Sequence, residues 1–134
     1  MVKSDKDLFM ATGRRKTSIA RVRVNTSGKG NIRVNGRELG GYFFTVDQRT
    51  QVTKVMTVVD LEGKVDVAAN VCGGGLSGQA GAVSLGVARC LVEWNPEFRA
   101  VFRKEGLLTR DPRAKERKKY GRKGARKRFQ WTKR

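Results

Sequence analysis

Thirteen lysines and arginines fall within residues 110–134, against two acids, Asp111 and Glu116. This segment holds a net +11 of the chain's +18. The chemistry open to it is the neutralisation of a polyanion. Each Lys or Arg set on a phosphate releases condensed counterions, with a log–log salt slope of roughly −0.7 per phosphate on single strands and roughly −0.9 on duplex. Arg14, Arg15 and Lys16 form a second basic cluster, and Arg21 and Arg23 follow it in alternation with apolar residues. Short basic runs are usually solvated faces. Thirteen cations interleaved with Tyr120, Phe129 and Trp131 instead have the footprint of a nucleic-acid binder.

Other chemistries find little support. The chain has no His and two Cys, so the usual zinc sets cannot be assembled. Cys72 and Cys90 are unpatterned; the sequence leaves a disulfide between them open, and small buried hydrophobes are the better reading. Residues 72–81, CGGGLSGQAG, are the richest glycine stretch. They lack both the Gly-Lys-Ser/Thr of a phosphate-binding Walker loop and the spaced glycines of a dinucleotide fingerprint. A tight strand-to-helix turn is expected there, with Gly73, Gly74 and Gly75 letting backbone or RNA approach closely. No apolar run nears the ~18 residues of a membrane span. The start alternates charges where a signal peptide has an apolar segment, so a cytoplasmic protein is expected. No metal, cofactor, membrane or small-molecule substrate is expected.

These residues need a scaffold. At 134 residues the chain suits one folded body with an appendage. Residues 1–11 read as a flexible lead-in, 12–109 as the body and 110–134 as the tail. Residues 1–109 carry seventeen basic and ten acidic groups, so the body is basic as well. The tail has too few apolar groups to offset the entropy of ordering, and is expected as an extended arm.

Ala20, Val22 and Val24 alternate with Ile19, Arg21 and Arg23, which predicts a strand with one apolar and one arginine-rich face. Turn chemistry over 26–30 followed by residues 31–35 predicts a return strand and a hairpin, ended by Gly36. Leu39, Tyr42, Phe43 and Phe44 predict a short helix or turn as a lid on the core. Thr45 and Gln48 have capping-box spacing. They open a helix with the buried stripe Val52, Val55, Met56 and Val59, ended by Gly63. Val65, Val67, Ala69 and Val71 alternate as a second strand region. After the glycines, Ala80, Val83, Val87, Leu91 and Trp94 share one helical face. Gly81 and Gly86 each cost about 1 kcal/mol there relative to Ala, which implies that something packs closely on this helix. Asn95 and Pro96 start a short helix with Phe98, Val101 and Phe102 inward, ending at Gly106. Leu107 and Leu108 are the last anchors before the tail. The fold class expected is α+β, a small β-sheet packed on helices with an extended basic C-terminal tail.

Three blocks of residues also carry a family resemblance. They are Thr12-Gly13-Arg14-Arg15-Lys16 with Ala20-Arg21-Val22; Gly73-Gly74-Gly75 with Ser77-Gly78-Gln79-Ala80-Gly81-Ala82; and, in the tail, Glu116-Arg117-Lys118-Lys119, Gly121, Ala125-Arg126, Gln130 and Lys133-Arg134. Over nearly all of 12–134 the chain resembles bacterial-type ribosomal protein S nine, the ninth protein of the small ribosomal subunit. The resemblance implies a body like the second domain of ribosomal protein S five, seated in the subunit head on 16S-type rRNA beside neighbouring head proteins. It implies a tail that threads through rRNA to the peptidyl site and meets the anticodon stem-loop of the bound tRNA. Carried onto this chain, Arg128, Lys133 and Arg134 are the tRNA-binding residues. The rRNA-binding residues are Arg14, Arg15, Lys16, Arg21, Arg23, Gly73, Gly74, Gly75, Ser77, Gln79, Arg113, Arg117, Lys118, Lys119, Arg122, Lys123, Arg126 and Lys127. Arginine's planar fork grips phosphate bidentately, whereas lysine acts as a mobile point charge.

The resemblance has departures. Phe129 stands where such tails commonly have Pro, Trp131 where they have Phe or Tyr, and Gly124 where a basic residue is frequent. Losing the proline frees a fixed φ, so a different path is expected for the last six residues. A structural, non-enzymatic role follows. Two other classes compete with it: a histone-like packaging protein, which composition alone allows, and a small thiol enzyme, which the absence of His disfavours.

Overall fold

The computed structural model describes residues 7–134. Strand β1 runs Leu8–Arg15 and pairs antiparallel with β2, Ser18–Asn25. The lead-in expected over 1–11 therefore ends sooner. Leu8 to Ala11 already belong to β1, because Phe9 and Ala11 pack on the core, while residues 1–6 lie outside the described residues. A two-residue turn, Lys16 and Thr17, joins the strands, with Lys16 at φ +52°.

The hairpin expected between β2 and residues 31–35 does not form. β2 pairs on its other side with β5, Asp66–Cys72, from Ile19 opposite Cys72 to Asn25 opposite Asp66. Strand β3, Ile32–Val34, lies parallel to β5 on the far edge, followed by β4, Arg37–Glu38, giving the order β1-β2-β5-β3-β4. The loop after β2 explains the exchange. Asp66 Oδ1 accepts the N–H groups of Lys29 at 2.8 Å and Asn31 at 2.9 Å, and Asn31 O accepts that of Val67 at 2.8 Å. The loop is thus held to the start of β5 and carries the chain across it. The tight hairpin is β3–β4, which turns at Asn35 and Gly36 with φ +50° and +79°, the primed geometry an Asn-Gly pair favours.

Among the described residues four helices accompany the sheet: α1 (Leu39–Tyr42), α2 (Val46–Thr57), α3 (Leu76–Trp94) and α4 (Phe98–Lys104). α3 lies across β1 and β2 and against α2, and is buried along most of its length. Inward residues of the sheet (Ala20, Val22, Val24, Val67, Ala69, Val71) meet Ala80, Val83, Val87 and Leu91 of this helix in one core. Phe43 and Phe102 are fully buried, each contributing about 1.5–3 kcal/mol by area. Gly86 and Gly13 let α3 and β1 meet backbone to backbone, which accounts for a glycine kept in mid-helix.

Several local expectations are corrected. Thr45 caps α2 by position only, with no side-chain cap bond, and Gln48 Oε1 has no donor among the described residues. The helix ends at Thr57 rather than at Gly63. Asp60 adopts φ +53° and the Leu61 N–H returns to Met56 O at 3.0 Å, which places Leu61 in the core. α4 ends by the same device, with Gly106 at φ +70° and the Leu107 N–H on Phe102 O at 2.9 Å. Phe44, Val101 and Trp94 are exposed, at 72, 42 and 38%, because the lid and both helix faces turn away from the core at those positions. Cys72 is exposed as well, since it ends β5 on the open face; only Cys90 is buried, and both are free thiols. Beyond Lys104 the chain forms no helix or strand.

Candidate nucleic-acid interface

One face of the sheet is buried under α3 and the other stays open. Arg21 lies on the open face between Thr12 and Asn70, and Arg23 between Met10 and Ala68. Arg33 of β3 flanks Ala68 from the far side, and Arg14 continues the row opposite Ile19. All four arginines are exposed. Alternation alone placed Arg21 and Arg23 here. Arg33 shares their face by the exposed parity of Ile32-Arg33-Val34, and β5 standing between β2 and β3 sets it one strand further from them than the expected hairpin would.

The glycine-rich loop is held from within. Gly73 and Gly74 adopt φ +72° and +66°, and side chains there would collide with Thr17 O at 2.7 Å and Ser18 Oγ at 2.1 Å. The loop therefore seats the β1–β2 turn that carries Lys16. Ser18 Oγ and Gln79 Nε2 both donate to Gly73 O, at 3.0 and 3.1 Å. Gln79 Oε1 accepts Tyr42 Oη at 2.7 Å, and Asn35 pairs through its side chain with both the N–H and the C=O of Val71. Gln79 is buried in this network, so it shapes the loop rather than lining its surface. Gly75, the N-cap of α3, and Ser77 are exposed.

At the root of the tail, the end of β1 meets residues 111–113. The stem of Arg15 lies on Gly81 of α3; a Cβ there would approach Arg15 Cδ to 2.3 Å. Its Nη2 stands 3.8 Å from Asp111 Oδ2. The same carboxylate accepts Arg113 Nη2 at 2.7 Å and Nε at 3.0 Å, and its Oδ1 accepts the Arg113 N–H at 3.0 Å. These bonds, first the side-chain one from Arg113, hold the Asp111 carboxyl down to about 2. Lys54 of α2 lines the adjoining cleft with Arg14, 3.5 Å from Glu105. Lys54 carries no signal in the sequence, because only folding brings α2 to this corner.

Further along, Glu116 receives Lys119 Nζ at 2.5 Å and Arg126 Nε at 3.0 Å, which lowers its carboxyl pKa. The Lys123 N–H donates to Lys127 O at 2.9 Å, Arg122 Nη1 to Arg126 O at 3.2 Å, and Gly121 adopts φ +65°. Between Lys119 and Lys127 the tail thus turns about one carboxylate instead of running straight. Arg117 Nη1 donates to Lys118 O, and Lys123 Nζ lies 5.6 Å from the Phe129 ring centroid. Lys118, Arg128, Lys133 and Arg134 are exposed, as are Tyr120 and Trp131. The structure brings Arg14, Arg15, Lys16 and Arg113 to one corner and Arg21 and Arg23 to one face, and the remaining tail cations follow outward.

Fold and surface define a class: a basic α+β protein whose exposed chemistry is cationic. No helix among the described residues is long and apolar enough to cross a membrane. The family model described as Ribosomal protein S9/S16 matches residues 13–134. The small ribosomal subunit protein uS9 of Anaeromyxobacter sp. (strain K) is 54% identical over 125 residues, spanning 93% of this chain and 95% of the relative. That of Methylacidiphilum infernorum (isolate V4) is 52% identical, spanning 94% and 92%. That of Treponema pallidum (strain Nichols) is 50% identical, spanning 96% and 99%. The chain belongs to the ribosomal protein S9/S16 family, whose members are structural ribosomal proteins and not enzymes.

Proposed function

We propose that this chain is a structural constituent of the small ribosomal subunit in the cytoplasm, binding 16S-type rRNA in the subunit head. The observation that carries the reading is the family match, which runs from the basic cluster of β1 to the last residue of the tail. The open arginine face and the exposed cations of the tail support it, because contacts to phosphate oxygens fix register on RNA whatever the base. In this reading the body, which the structure extends back to Leu8, docks through Arg14, Arg15, Lys16, Arg21 and Arg23. The tail, 110–134, lays its cations along rRNA phosphates and brings Arg128, Lys133 and Arg134 to the anticodon stem-loop of peptidyl-site tRNA. Trp131, 79% exposed, is available to stack on a base, an interaction worth ~1–3 kcal/mol. Neighbouring head proteins complete the set of partners.

Sedimentation of tagged chains from a lysate tests this, with and without residues 129–134. Both forms should travel with small subunits, and only particles with the shortened chain should hold peptidyl-site tRNA weakly. A full-length chain that stays with chromosomal DNA or in the supernatant refutes the ribosomal reading. Equal tRNA retention by both particles refutes the assignment of the tail's end.

A further inference from the structure

The corner where the tail leaves the body has the features of a built anion site. Two clefts, of about 290 and 390 Å³, share Arg15, Asp111 and Arg113 as walls. Arg14 and Lys54 line the first; Lys16 and Lys115 line the second. Cations therefore outnumber Asp111 on both sides, even with Lys54 shared with Glu105.

Two guanidiniums so close would repel one another without a bridging anion. Asp111 is that bridge, bonded to the Nε/Nη2 edge of Arg113 and 3.8 Å from Arg15 Nη2. The bridge occupies the Nε/Nη2 edge of Arg113, and its Nη1 is not part of it. Arg15 Nε is shielded and without an acceptor among the described residues, and its stem is braced on Gly81. Arg113 itself stands 80% exposed on a segment without helix or strand, so Asp111 is what orients it.

Resting on the RNA-binding reading above, we propose that Arg15 and Arg113 form a two-arginine clamp for a backbone phosphate of RNA, with Asp111 as its positioning residue. Phosphate fits the site better than a planar carboxylate, because its oxygens diverge and can meet both guanidiniums and the cations of either cleft. The clamp also fixes where the tail departs, since the same carboxylate ties residue 113 to the β1–β2 turn.

The proposal makes a prediction opposite in sign to simple charge counting. Asp111→Asn raises the net charge by one, yet it should weaken binding. Anisotropy with transcribed 16S-type rRNA as the probe, repeated across a salt series, reads this directly. Loss of one phosphate contact lowers affinity about 5-fold at roughly 0.1 M salt and makes the salt slope shallower by about 0.7 to 0.9. Arg15→Lys, which keeps the charge but removes the fork, should weaken binding with the salt slope nearly unchanged, and Asp111→Glu should restore most of the affinity. Glu97→Gln removes the same charge at an exposed position of the body that lines neither cleft, and should bind at least as tightly as the wild type. Asp111→Asn binding as tightly as wild type, with an unchanged slope, overturns the clamp. Should Asp111→Asn lose the wild-type melting transition, Arg15→Lys decides alone, and its failure to weaken binding is equally fatal. A wild-type chain that binds duplex DNA as well as rRNA overturns instead the ribosomal reading beneath it.

Discussion

Replacing Gly13 with alanine tests whether β1 and α3 meet backbone to backbone. An ideal Cβ at Gly13 would lie 1.8 Å from Ala82 O, 2.5 Å from Gly86 N and 2.9 Å from Ala82 C. All three are helix backbone, so no change of rotamer relieves the contact. Real Cβ atoms essentially never come nearer than 3.0 Å, so strand and helix must part by about 1.2 Å at that point. A gap of about 0.5–1 Å already forfeits a quarter to a half of each dispersion contact. The loss spreads along the interface, where Val22 sits so close to Gly86 that a Cβ there would meet its Cγ2 at 2.5 Å. Overpacking usually costs about 1–3 kcal/mol, and a clash with backbone belongs at or above the top of that range. At about 3 kcal/mol the melting temperature of a body this size should fall by roughly 12–24 °C. Thermal unfolding followed by circular dichroism measures it. Gly41→Ala is the control, because that position faces open space and should change stability by less than about 0.5 kcal/mol. A Gly13→Ala melting point within about 4 °C of wild type would refute the interface as described.

Gly81→Ala should behave differently, because its Cβ meets the flexible Arg15 side chain rather than backbone. Stability should hold or rise by up to about 1 kcal/mol from helix propensity, while rRNA affinity falls as Arg15 is displaced. A parallel loss of both would refute the distinction. Burial, with a smaller contribution from Glu93, pushes the Cys90 thiol up to about 12, whereas Cys72 is exposed. A thiol reagent at neutral pH should therefore titrate one cysteine in the native protein and two in urea; two fast native reactions would contradict the burial of Cys90. Asp111 is held at about 2, below its ordinary 3.8, so its contribution to docking the tail is fully present above 3.8 and lost as pH falls through about 2. Carboxyl resonances followed by NMR should show that low midpoint, and an ordinary one would mean the pairing with Arg113 is absent in solution.

Much of the scaffold was legible along the chain. Alternation marked the inward residues of β2 and β5, and the helical stripe of α3 was correct up to Leu91. The glycines of that helix announced close packing before any partner was known. What could not be read was the choice among partners. Both β3 and β5 are strands able to follow β2, and Asp66, holding a loop more than thirty residues earlier, decides between them. Asp60 ends α2 because burying Leu61 favours the left-handed turn, a reason that lies in the core and not in the residue. Gln79, which the resemblance assigns to rRNA, is drawn inward by Tyr42 and Gly73, and no local pattern in the sequence shows that.

The sequence by itself determined the cationic character of this protein, its local periodicities and its family, since charge, alternation and motif order are properties of residues near one another in the chain. Only the tertiary structure decided which cations share a surface. Arg33 and Arg23 flank Ala68 of β5 on one face, and Arg15, seated on Gly81, shares Asp111 with Arg113, because the sheet order and the packing of α3 bring together side chains that no spacing along the chain relates.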